Sequence, residues 1–113
     1  MDVITAKTTG EWERWLEAHH DTTPEVWILI GKRASGIPSI QPEEATEAAL
    51  CFGWIDSHRR AVDDKTYLQR YSPRRRGSRW SARNVALAER LIAGDRMRPA
   101  GLVEYQKRRP PDP

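Results

Sequence analysis

Between Leu50 and Asn84 the chain reads LCFGWIDSHRRAVDDKTYLQRYSPRRRGSRWSARN, with two Trp, two Tyr and nine Arg or Lys interleaved. Trp54, Asp56, His58 and Arg60 share one parity and Ile55, Ser57 and Arg59 the other, so an extended chain here has two unlike faces. Tyr67, Gln69 and Tyr71 repeat the pattern after Ala61-Val62-Asp63-Asp64-Lys65, whose paired Asp side chains suit a turn. The spacing predicts a β-hairpin. With Ile55 and Leu68 turned to the core, the opposite face carries Trp54, Tyr67 and Tyr71 with His58 and Gln69 among them, a surface able to stack on a planar or apolar ligand.

Helices frame this hairpin. Thr8-Thr9-Gly10-Glu11 has the form of a capping box, and Trp12, Trp15, Leu16 and His19 follow at helical spacing, predicting a first helix to about His20. Val26 to Ile30 is short and apolar on both parities, as a central strand is. Ala34 to Pro38 reads as a loop. Pro42 suits a first helical position, Glu43 and Glu44 suit the positive end of the helix dipole, and Ala45, Ala48, Ala49 and Phe52 supply an apolar face that ends at Gly53. Ser78 or Ser81 caps a third helix bearing Val85, Ala88, Leu91 and Ile92 before Gly94, and Pro99 opens a short fourth with Leu102 and Val103. The expected fold class is α+β, a small, mainly antiparallel sheet with three to four helices in one domain over 1–109, followed by a disordered, proline-rich tail at 110–113.

Composition narrows the function classes. A chain of 113 residues suits a single core. It holds no apolar run of membrane-spanning length and no secretory signal pattern at its start, which reads as cytoplasmic with no membrane partner. Cys51 stands alone within AALCF, as a small buried hydrophobe does. Residues 1–53 carry four cations against nine acids, whereas 54–113 carry fifteen cations against seven acids, an asymmetry that favours anionic partners of the second half.

The blocks EEATEAALCFGWIDS (Glu43 to Ser57), TYLQRYSPR (Thr66 to Arg74), SRWS (Ser78 to Ser81), AERLI (Ala88 to Ile92) and GDRMRPAGL (Gly94 to Leu102) resemble, in order and spacing, the YdeI/OmpD-associated family, often labelled bacteriocin-protection proteins. The resemblance implies a small cytoplasmic α+β protein and a theme of antimicrobial protection. Asp95, within the family's G-R-M motif, and Arg98, where a Ser or Thr cap is common, depart from the pattern.

Ser57 points away from both Asp56 and His58 on a strand, so these three do not form a nucleophile, base and orienter. Asp56 is better read as the partner of an Arg. His19 and His20 diverge on a helix, one Cys makes no zinc cluster, and no phosphate loop or dinucleotide fingerprint appears, so neither a metal nor a cofactor is expected. Trp12, Trp15 and Trp27 read as core. The leading expectation is a non-enzymatic binding protein that sequesters an antimicrobial small molecule or peptide, as resistance or self-protection, in an aromatic-cationic pocket. Trp54, Tyr67, Tyr71 and Trp80 form its walls, Arg70 and Arg79 anchor the ligand, and Asp56, His58 and Gln69 lie alongside. The alternative is nucleic-acid binding, with Arg74, Arg75, Arg76, Arg79 and Arg83 on phosphates and the hairpin aromatics on bases. Exposed aromatics are also compatible with a homodimer.

Overall fold

The computed structural model describes residues 2–75 and 79–108. Along the chain run β1 (Val3–Ile4), α1 (Thr9–His19), β2 (Val26–Gly31), a short 3-10 turn (Arg33–Ser35), α2 (Pro42–Cys51), β3 (Trp54–Ala61), β4 (Thr66–Pro73), α3 (Ala82–Ala93) and α4 (Pro99–Gln106). The four strands form one sheet in the order β1-β2-β4-β3, parallel only between β1 and β2. The molecule is thus a single α+β domain. Arg76 and the tail 110–113 lie outside the described residues.

Local chemistry sets the element ends. The Thr8 hydroxyl accepts from the Glu11 amide at 3.2 Å, and the Glu11 carboxylate reaches back to the Lys7 amide at 2.6 Å, one residue beyond the reciprocal partner of a capping box. Ser81 caps α3 by accepting from the Asn84 amide at 3.1 Å. Gly53 takes φ 77° where α2 hands the chain to β3, a conformation that L side chains avoid. At the end of α3 the positive φ falls on Asp95, at 61°, and Gly94 keeps a negative one. A short polar side chain tolerates this geometry better than most.

The sheet buries the face carrying Val26, Ile28 and Ile30 on β2, which stand opposite Tyr71, Gln69 and Tyr67 on β4. Onto it pack Trp12 and Leu16 of α1, Ala45, Ala48 and Ala49 of α2, and Ala88 and Leu91 of α3, all 4 % exposed or less. Cys51 lies among them, and burial pushes its thiol up from the usual range. The hairpin's residues sort into the two expected faces, but the core side is inverted. Trp54 and Tyr71 are 1 % and 0 % exposed against the helices, while Ile55 is half-buried on the outer face and Leu68, though shielded, stands outside the core cluster. The large aromatics supply more apolar area per residue than Ile or Leu, and their row is continuous with the aliphatic row of β2.

Two other expectations shift. Trp12 is sealed, whereas Trp15 is half-buried in the aromatic stack and Trp27, on the outer face, is also half-buried. On α4, Leu102 and Val103 are exposed, and the helix instead presents Gly101 to the Cys51 carbonyl, where any Cβ would also fall 2.6 Å from Met97 Sδ. Close backbone approach, rather than an apolar stripe, docks α4. Among the described residues no helix is long and apolar enough to cross a membrane.

Candidate functional site

The residues expected to line one aromatic hollow are dispersed. Trp54 is closed into the core, its indole donating to the His20 carbonyl at 3.2 Å and its ring set edge-on to Trp15 at 5.7 Å. Tyr71 is fully buried against Trp12, with its hydroxyl 3.3 Å from the Thr46 hydroxyl, and burial drives its phenol pKa well above the usual range. Neither ring offers a face to a ligand or to a nucleic-acid base. Gln69, 3 % exposed, is structural too. Its amide donates to the His58 carbonyl at 3.2 Å and its oxygen accepts from Arg59 Nε at 3.2 Å, across the register shift between Asp56 and Arg59. That shift breaks the alternation past Asp56, and His58 is exposed.

Tyr67 is half-buried beneath the Arg59 guanidinium, 4.4 Å from its ring centre. Arg70 lies on the outer face, its Nε 2.6 Å from the Glu25 carboxylate and its Nη1 3.0 Å from the Ser57 hydroxyl. The Arg70 hydrogen bond, above all, holds Glu25 below the usual carboxylate range. Arg75, Arg79 and Arg83 are exposed.

Two arrangements remain that can do chemistry. The first is a cleft of about 320 Å³ between α2, α3 and β3, which joins Asp56 and Arg83 of the expected residues to Arg59, Arg90, Thr46 and Leu87. Its cations and acids are not equivalent. On the α2 wall Glu43 is paired with Arg33 at 3.0 Å and Glu47 with Arg96 at 3.2 Å, both from outside the cleft. The Glu43 carboxyl is held below its usual range by its own backbone amide at the helix start and then by Arg33. The Arg83 and Arg90 guanidinium groups make no hydrogen bond or ion pair among the described residues. A second cavity, of about 400 Å³, runs beside Cys51 and Phe52, but its cations are engaged: Arg96 by Glu13 and Glu47, Arg98 over the Phe52 ring at 5.6 Å.

The second arrangement runs from β4 to α4. Arg74 stacks on Trp80 at 3.9 Å, Trp80 meets Tyr105 edge-on at 5.8 Å, and Arg108 covers Tyr105 at 3.9 Å. Trp80 is therefore partnered as expected with cations, though with Arg74 rather than with the hairpin tyrosines. Arg59, Arg90, Tyr105 and Arg108 were not legible as site residues. Only Arg83, Leu87 and Arg90, at i, i+4 and i+7 on one helix face, carried a signal that could have found the cleft.

Residues 4–104 match the model of a family described as a domain of unknown function (DUF8412). No curated protein and no solved structure matches the chain.

Proposed function

The chain belongs to the DUF8412 family, whose description assigns no activity, and from its geometry we propose a non-enzymatic binding protein that holds a small anionic molecule, or the acidic end of a peptide, in the cleft between α2, α3 and β3. One observation carries this reading. The acids of the α2 wall are held by cations from outside, while Arg83 and Arg90 face the same space with no partner among the described residues. Guanidinium groups in that position attract and orient carboxylates or phosphates, aided by the positive end of α3, whose first turn holds Arg83 and Asn84. Leu87 adds an apolar contact and Thr46 a hydroxyl.

The protective theme attached to the YdeI/OmpD-associated resemblance fits a protein of this kind, because capture lowers the free concentration of a toxic ligand without chemistry. The nucleic-acid alternative loses its stacking element, since Tyr71 is sealed and Tyr67 is covered by Arg59.

Titration calorimetry of the full chain with citrate, inorganic phosphate and an acidic dipeptide tests the reading. Two charge-assisted contacts are worth about 1.5–3 kcal/mol each, so the Arg83→Gln/Arg90→Gln variant should bind the preferred probe at least about tenfold more weakly with its thermal midpoint unchanged. Equal affinity in the variant, or heat from none of the three probes, would remove the cleft as the site.

A further inference from the structure

The charges lining the cleft between α2, α3 and β3 sort into those already matched and those left over. Glu43 and Glu47 are taken by Arg33 and Arg96, and Arg59 gives its Nε to the Gln69 side-chain oxygen at 3.2 Å while lying over the Tyr67 ring. Asp56, Arg83 and Arg90 remain, and among the described residues their side chains make no hydrogen bond or ion pair. Their placement follows from the backbone. Asp56 stands opposite Tyr71 in the pairing of β3 with β4, and paired residues share a face, so its carboxylate lies on the helix-covered side of the sheet. There the Tyr71 hydroxyl is 3.3 Å from the hydroxyl of Thr46, which lines the same cleft. Arg83, Leu87 and Arg90 share one face of α3, and at about 1.5 Å per residue the two cations are rooted about 10 Å apart along the axis, with Leu87 between them.

Given the cleft as the ligand site proposed above, we infer that its ligand is an amino dicarboxylate, a free acidic amino acid that carries two carboxylates and one ammonium group. The unmatched guanidinium groups of Arg83 and Arg90 and the unmatched carboxylate of Asp56 are the complement of those charges. Cations rooted two turns apart suit two carboxylates joined by a short chain better than a single anion, and Leu87 meets the methylene groups between them. Asp56 takes the ammonium. It also disfavours a dianion that lacks one, because like charges facing one cleft repel. A volume of about 320 Å³ is at the small end for ligand clefts, as an amino acid requires.

Calorimetric titration of the full chain with two matched pairs tests this, L-glutamate against glutarate and L-aspartate against succinate, each pair differing only in the ammonium group. A further arm, γ-aminobutyrate, keeps the ammonium and one carboxylate. The tighter of the two amino acids should bind at least about fivefold better than its matched dicarboxylate and than γ-aminobutyrate, a ratio set by one charge-assisted contact discounted for exposure to solvent. Asp56→Asn should weaken the amino acid, strengthen the dicarboxylate and so bring the pair to within about twofold of each other. If each dicarboxylate binds as tightly as its amino acid, and Arg83→Gln/Arg90→Gln weakens them alike, the amino dicarboxylate is overturned while the cleft stands. An undiminished preference in Asp56→Asn also overturns it. Heat from none of these compounds, nor from citrate, phosphate or the acidic dipeptide, removes the cleft and its ligand class together.

Discussion

Gly53 answers to two constraints at once. Its φ of 77° reverses the chain between α2 and β3, and a Cβ there would lie 2.8 Å from Glu104 Cγ and 3.0 Å from the Ala100 carbonyl oxygen. The backbone conformation alone costs a non-glycine residue about 1–3 kcal/mol, and the fixed carbonyl of α4 has little room to give. Gly53→Ala should therefore lower the thermal midpoint by at least about 5 °C, given the several degrees that each kcal/mol represents in a domain of this size. An unchanged midpoint would mean that α4 moves aside freely. The glycine was legible because a left-handed cap after an apolar helical run is a local requirement. Arg74 was not legible, for the opposite reason. Nothing local distinguishes a buried arginine from its exposed neighbour Arg75, and only the packing of Trp80 over it makes the difference.

The hairpin shows what alternation can and cannot convey. Parity correctly separated Trp54, Tyr67, Gln69 and Tyr71 from Ile55 and Leu68, but both sets are apolar enough to face a core, and the choice belongs to helices elsewhere in the chain. The irregularity between Asp56 and Arg59 is likewise invisible in β3 itself, because the group that stabilises it, Gln69, lies on β4. As the edge strand, β3 is paired on one side only, and its charged, kinked outer half resists pairing with another chain. Replacing Gln69 with Leu keeps the volume and removes the bonds to the His58 carbonyl and Arg59 Nε. The expected cost is about 1–3 kcal/mol in urea unfolding, with amide exchange accelerated in β3 beyond Asp56 and little changed in β2. Uniform acceleration across the sheet would show that Gln69 acts on global stability and not on the bulge.

Across the whole molecule, the α+β class was readable from the succession of helical and alternating segments, while β1 was not, since two residues in a parallel edge strand carry no periodicity. What joins the parts is an aromatic chain. Trp12 stacks on Trp15 at 5.4 Å and leans on Tyr71 at 5.4 Å, and Trp15 meets Trp54 edge-on at 5.7 Å, so α1 is bound to β3 and β4 through large rings. Such contacts make independent melting of α1 unfavourable, because undocking it exposes Trp12, Tyr71 and Trp54 together. Tryptophan fluorescence and far-UV circular dichroism should then report one coincident urea transition. Trp54→Ala should lower its midpoint severely, since truncating a buried Trp costs about 3–5 kcal/mol against a typical total of 5–15 kcal/mol. The loss of any function in that variant would follow from unfolding, so Trp54→Phe, which keeps a ring in the stack, is the informative substitution. A fluorescence transition that precedes the loss of helical signal would separate α1 from the sheet and show that the rings do not couple them.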